Sequence, residues 1–188
     1  MVLSMNMQKL VAGSSTIRKL FEEGIELAKE VGAENVYDFS LGNPAAPVPE
    51  QVKKSIYDIL ENRNTNFVHC YMPNAGYPEV REKVAANLNK KYDSSFTKDN
   101  IIMTVGAAGG INCVLRCLLE QEDEVLCFAP FFGEYNSYVM NFGGNLKVVP
   151  ADYESFQLNV EEADKYITER TKAVIINNPN NPSGVVYN

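Results

Sequence analysis

The chain has 188 residues, 45% of them hydrophobic and 22% charged, with a formal net charge of −7, which is the composition of an ordinary soluble globular protein and argues against a disordered one. No long Lys/Arg block offsets the acidic balance, so nucleic acid and anionic membrane are excluded as general partners and small solutes are expected instead. Met1–Leu10 mixes Ser, Asn, Gln and Lys among its apolar residues, and no run approaches the length of a membrane span, so a cytoplasmic chain is expected.

Ser14-Ser15 can cap a helix in which Ile17, Leu20, Phe21, Ile25, Ala28 and Val31 recur at three- and four-residue spacing, with Gly32 as a stop. A short strand is predicted over Val36–Ser40, leading into the loop Leu41-Gly42-Asn43-Pro44. Pro47 and Pro49 precede a second helix carrying Val52, Ile56, Ile59 and Leu60. From Glu61 to Gly76 turn-forming residues dominate, which predicts a long loop containing His69 and Tyr71. Tyr71 can pack on its own loop or reach outward. Pro78 opens a third helix that ends near Tyr92.

After Asp99 the character changes. Strand-like runs at Ile101–Val105, Glu124–Phe128, Leu146–Val149 and Lys172–Ile176 alternate with helical segments over 110–120, 131–142 and 159–168, so this half reads as repeated βα units around a largely parallel sheet. The last strand is β-branched enough to suit burial on both faces. Cys113 and Cys117, four apart on an apolar helix, read as core residues. The four cysteines show no CxxC pair, and the single histidine excludes a multi-histidine zinc site, so no metal site is expected.

The turn Gly106-Ala107-Ala108-Gly109-Gly110 joins a strand to a helix, and its small residues bare the backbone N–H groups of a helix N-terminus, which suits a phosphate. It lacks both G-x-G-x-x-G and the Lys-Ser/Thr of a P-loop, and the next strand ends in Phe128-Ala129-Pro130 rather than an acidic residue. A dinucleotide site is therefore disfavoured. Phe131 and Phe132 follow that strand and, taken alone, read as core packing.

Near the end of the sequence stands Asn177-Asn178-Pro179-Asn180-Asn181-Pro182-Ser183-Gly184, a stiff polar turn at the carboxyl end of a strand, where parallel sheets bind ligands. A lone Asn/Pro turn has no functional meaning, but these eight consecutive positions resemble the N-x-P-N-N-P-[ST]-G signature of fold-type I pyridoxal 5'-phosphate (PLP) enzymes, the class I/II aminotransferases of the aspartate aminotransferase superfamily. The resemblance runs from about Ser15 to Asn188.

It implies an α/β fold: a three-layer αβα major domain with a mostly parallel sheet, incomplete here, plus N-terminal helices of the small domain and dimer arm. The implied boundaries are 1–50 for the arm and part of the small domain, and 51–188 for the first portion of the PLP-binding domain. It implies transamination between an L-amino acid and a 2-oxo acid in a homodimer. Gly106, Ala107 and Ala108 would cradle the cofactor phosphate, although many members carry a hydroxyl, amide or lysine where Ala107 or Ala108 stands. Phe132 would stack on the pyridine ring, with Phe131 left to the core. Asn181 would bind the ring oxygen and help place the substrate carboxylate, Gly42 would offer its backbone to that carboxylate, and Tyr71 would reach the phosphate of the neighbouring subunit.

The family's Schiff-base lysine, ring-nitrogen aspartate and carboxylate-binding arginine all fall beyond its N-N-P-[ST]-G turn, so no catalytic residue is expected within this sequence. Three strands of the family's seven-stranded sheet would also be absent. The expectation is a chain that alone folds poorly, binds PLP weakly and does not transaminate. A PLP-dependent lyase or synthase of the same fold, and a truncated noncatalytic partner protein, are the alternative readings.

Overall fold

The computed structural model describes residues 3–12, 16–39, 42 and 46–188, which fall into two compact units, Met1–Cys70 and Tyr71–Asn188. The first unit contains helices α1 (Met5–Ala12), α2 (Thr16–Val31), α3 (Glu50–Asn62) and α4 (Thr65–Val68). α2 follows the predicted apolar spacing; the expected Ser14-Ser15 cap lies outside the described residues, as do Leu41, Asn43 and Pro44. No strand forms over Val36–Phe39: a 3-10 turn, Ala33–Asn35, leads into extended chain without a ladder partner among the described residues. The predicted long loop is also interrupted. Asn64 accepts a hydrogen bond from the Asn66 backbone N–H and so starts α4, a local cap within a segment rich in turn formers.

In the second unit, α5 (Pro78–Tyr92) begins with proline at its first turn and ends at Asp93 in the left-handed region. Before it, Gly76 has φ +94°, and a Cβ there would lie 2.6 Å from Met103 Cγ, so the backbone approaches a side chain that only glycine admits. Met103 N–H donates to the Ala75 carbonyl at 3.0 Å. The predicted strand Ile101–Val105 is extended chain rather than a strand. A strand exists only with a ladder partner, and none of the described residues supplies one; Ile102 and Val105 are exposed.

Helix α6 (Gly106–Leu118) then leads to β1 (Glu124–Phe128), α7 (Glu134–Met140), β2 (Asn145–Val149), α8 (Val160–Ala163) and β3 (Thr171–Ile175). The three strands form a parallel sheet in the order β2-β1-β3, with Val125 opposite Leu146 and Ala173, and Cys127 opposite Val148 and Ile175. β1 is central and buried throughout. Its alternation divides the core in two. Val125 packs with Leu115 of α6, Leu119 just past its end and Val139 of α7, while Leu126 and Phe128 face the other way, against Val149 and Ala163 of α8. Helices on both faces of a parallel sheet make the expected three-layer αβα arrangement.

Two expectations about burial fail for reasons of geometry. β3 is not buried on both faces: Ala173 and Ile175 join the α6/α7 core, but Val174 and Ile176 are exposed, because α8 covers β1 and β2 and does not extend over this edge. Cys113 and Cys117 are exposed, since α6 turns Ile111, Leu115 and Leu119 inward and carries the two thiols on another face. Cys127, on β1, is the buried thiol, and burial pushes its pKa up to about 12. A thiol-exchange titration of the native chain should therefore show Cys70, Cys113 and Cys117 reacting fast and Cys127 reacting only as the chain unfolds.

At the amino edge of the sheet, Glu124 accepts a 2.6 Å hydrogen bond from Thr168 Oγ1 and pairs with Lys147 at 3.2 Å. The Thr168 bond, opposed by burial and assisted by Lys147, holds the carboxyl below its ordinary range. A carboxyl depressed by folding contributes stability that is present above the unfolded-state value and lost as pH falls through the folded one. Thermal melts should thus fall between pH 5 and pH 3, and Glu124→Gln should lower the neutral-pH melt while shrinking that acid-side drop; an unchanged drop would remove Glu124 from the account.

Candidate functional site

The site is assembled from three chain segments that reach the carboxyl edge of the sheet. β1 and β3 are parallel neighbours with Cys127 opposite Ile175, so the loops that follow them, Ala129–Gly133 and Ile176–Gly184, leave the sheet side by side. α6 ends beside the start of β1 and packs back over the sheet in the cluster that contains Ile175. Its 13 residues span about 20 Å, longer than the roughly 16 Å of a five-residue strand. The Gly106 end of α6 is thereby carried to the same edge.

Asn180 ties the two loops together. It is only 6% exposed, its Nδ2 donates to the Pro130 carbonyl at 3.2 Å, and its Oδ1 accepts from Ser183 N–H at 3.2 Å and Ser183 Oγ at 2.8 Å. Its backbone bonds to Val185 and Gly184 close the turn. Burial pushes the Tyr187 hydroxyl up, and a hydrogen bond with the Asn180 side chain offsets part of that rise. With its amide oriented to satisfy both partners, Asn177 accepts from Asn181 N–H at 3.0 Å and donates to the Pro179 carbonyl at 3.2 Å. Asn181 is therefore held by its backbone, while its exposed side chain makes no hydrogen bond within the described chain.

Phe132 lies two residues beyond the Pro130 carbonyl and is 39% exposed. Its ring meets Tyr135 edge-on, with centroids 5.7 Å apart and planes at 82°. Tyr135 is buried and burial pushes its hydroxyl up, so Phe132 rests on a buried neighbour while part of its own side chain stays exposed. Phe131 is half-buried and lines a hollow of about 10 Å³, together with Cys127, Asn177, Asn180 and Tyr187. That volume is below the roughly 300 Å³ at which ligand pockets begin. A phosphorylated pyridine does not fit inside the hollow.

The outer surface of the loops does have space. Gly106 has φ +68° and no atom lies within 4 Å of the Cβ it lacks, but its N–H donates to the Thr104 carbonyl at 3.0 Å; Ala107 and Ala108 are exposed, so an anion could approach their first-turn N–H groups. Small residues at a helix N-terminus, an aromatic face and an unbonded amide are a donor set that fits PLP. Tyr71, at 103% relative exposure, begins this unit and turns its whole side chain outward. Gly42 is exposed, with open space around its missing Cβ, and belongs to the other compact unit. Among the described residues no group of three or more His, Cys, Asp or Glu could hold a metal.

Residues 33–188 match the family model for aminotransferase class I and II. The chain belongs to this family. A crystal structure of an aminotransferase from Eubacterium rectale superposes with a TM-score of 0.94 at 41% identity, covering 100% of this chain and 48% of that one. Among curated aminotransferases, a probable aspartate/prephenate aminotransferase of Aquifex aeolicus is 36% identical over 85% of this chain and 40% of its own length. Aromatic-amino-acid aminotransferase 2 of Thermococcus litoralis is 37% identical over 92% of this chain and 42% of its own. The chain thus spans less than half the length of these relatives. Asn180, Asn177 and Tyr135 were not singled out by sequence reasoning. Only the strand adjacency of Phe128-Ala129-Pro130 and the asparagine-rich turn could have pointed to the first of them.

Proposed function

We propose that this chain is the cofactor-orienting portion of a PLP-dependent aminotransferase that moves an amino group between an L-amino acid and a 2-oxo acid. The observation that carries the reading is the emergence of the Gly106 turn, the Phe132 loop and the Asn181 turn at one edge of the sheet, the latter two joined by the bond from Asn180 to Pro130. When bound, PLP supplies an electron sink for the substrate's α-carbon. Gly106, Ala107 and Ala108 cradle its phosphate at the positive end of α6, Ala107 and Ala108 through their backbone N–H groups and Gly106 by leaving open space beside them, its own N–H being bonded to the Thr104 carbonyl. Phe132 orients the ring by stacking, and Asn181 donates to the ring oxygen and helps place the substrate carboxylate, which also receives backbone from Gly42. Tyr71 serves the phosphate of a second subunit in a homodimer.

The Schiff-base lysine, the acid at the ring nitrogen and the carboxylate-binding arginine come from the part of the relatives that this chain does not cover. Residues 1–50 belong to the arm and small domain, 51–188 to the PLP-binding domain, and the enzyme works in the cytoplasm. The relatives named above are all aminotransferases, which favours transamination over lyase or synthase chemistry. By itself the chain binds PLP weakly, is of low stability because apolar residues such as Ile102 and Val174 stand exposed, and does not transaminate. Equilibrium dialysis of the purified chain tests this: PLP should bind at least tenfold more tightly than pyridoxal, with inorganic phosphate competing. Equal binding of the two, or transamination by the chain alone, would contradict the reading.

A further inference from the structure

We propose that Asn180 is a positioning residue that couples the Asn181 turn to the Phe132 loop, so that the two side chains meeting the cofactor ring are placed as one unit. For the identity of that ring, this role rests on the function proposed above. The chemistry is specific to an amide. Within one buried side chain, Nδ2 donates to the Pro130 carbonyl 50 positions earlier, while Oδ1 accepts from both the backbone and hydroxyl of Ser183. An isosteric carboxylate keeps the Ser183 half and loses the donor, and an apolar residue loses both. Asn181 is adjacent to the donor and Phe132 is two residues past the acceptor, with no intervening flexible segment on either side. The backbone around each end is itself bonded, through Asn180 N–H to Val185 and Ala129 N–H to Val149. A shift at one end of the bond is therefore transmitted to the other rather than absorbed.

Hydrogen exchange of the full chain, read in peptides 129–136, 177–187 and 124–128, tests the coupling without cofactor. Asn180→Asp should speed exchange at least tenfold in both loop peptides, leaving the strand peptide 124–128 unchanged; Ser183→Ala should speed only 177–187. Should Asn180→Asp open the strand peptide as well, Asn180→Thr, which can still meet Ser183 but is too short to reach Pro130, takes its place. Unchanged exchange in 129–136, identical behaviour of the Asn180 and Ser183 variants, or no protection in either loop of the parent chain would overturn the coupling. In a second readout, Asn180→Asp should weaken PLP about tenfold at unchanged affinity for inorganic phosphate, because the α6 N-terminus takes no part in the bond. Equal loss of both ligands would reduce Asn180 to a support of the fold. A parent chain that binds no PLP would sink the proposed function, and the exchange rates would still decide the coupling.

Discussion

Leu126→Ala is expected to destabilise the chain by about 3–4 kcal/mol, in the middle of the range for burying a cavity in a closed core. Leu126 is 1% exposed in the central strand, packed with Phe128, Val149 and Ala163 between the sheet and α8. Neighbours on both sides are held by ladder bonds and cannot collapse into the space. The matching change on the adjacent strand provides the control. Val174 sits opposite Leu126 on the same face, yet is 47% exposed, so Val174→Ala should cost less than about 1 kcal/mol. With a urea m-value of about 2 kcal/mol/M, the Leu126 variant should lose roughly 1.5–2 M in midpoint or show no cooperative transition, and the Val174 variant should stay close to the parent. Equal effects would mean that the second layer of the sandwich is not formed.

Asn181→Ala is expected to weaken PLP by ten- to a hundredfold, the loss of about 1.5–3 kcal/mol for a hydrogen bond to a charged ring oxygen. The cleanest host is a hybrid in which this chain replaces the matching half of the Eubacterium rectale aminotransferase, which supplies the part that this chain does not cover. Since the Asn181 side chain is exposed and makes no bond within the described chain, unfolding stability should move by less than about 0.5 kcal/mol. That separation distinguishes it from Asn180, whose buried amide bonds to the Pro130 carbonyl, so that its loss should lower stability and affinity together. A stability loss at position 181 equal to the affinity loss would mean that Asn181, too, belongs to the scaffold.

The parallel βα half could be read from sequence because its hydrophobic runs are short, β-branched and separated by helical spacing, and β1, β2 and β3 lie within a residue or two of where those runs predict. What could not be read depends on partners distant in sequence. Ile101–Val105 has every local mark of a strand, and no local mark reveals whether a ladder partner is present. The inward side of α6 is fixed by which of its apolar stripes meets β1; Ile111, Leu115 and Leu119 win over Val114, Cys117 and Leu118, and composition does not separate the two stripes. At the site, small residues at a helix start and an Asn/Pro turn announce themselves. The distinction between Asn180, turned inward, and Asn181, turned outward, requires the Pro130 carbonyl from another loop.

The most direct measurement is PLP content and transamination of the Eubacterium rectale hybrid itself. If the strand-tip loops of this chain grip the cofactor, the purified hybrid should carry close to one PLP per subunit, should transaminate an amino acid with a 2-oxo acid, and should lose PLP when Asn181 is changed. A hybrid that folds stably, as judged by a cooperative melt, yet takes up no PLP would contradict the assignment of Gly106, Phe132 and Asn181 as a cofactor site.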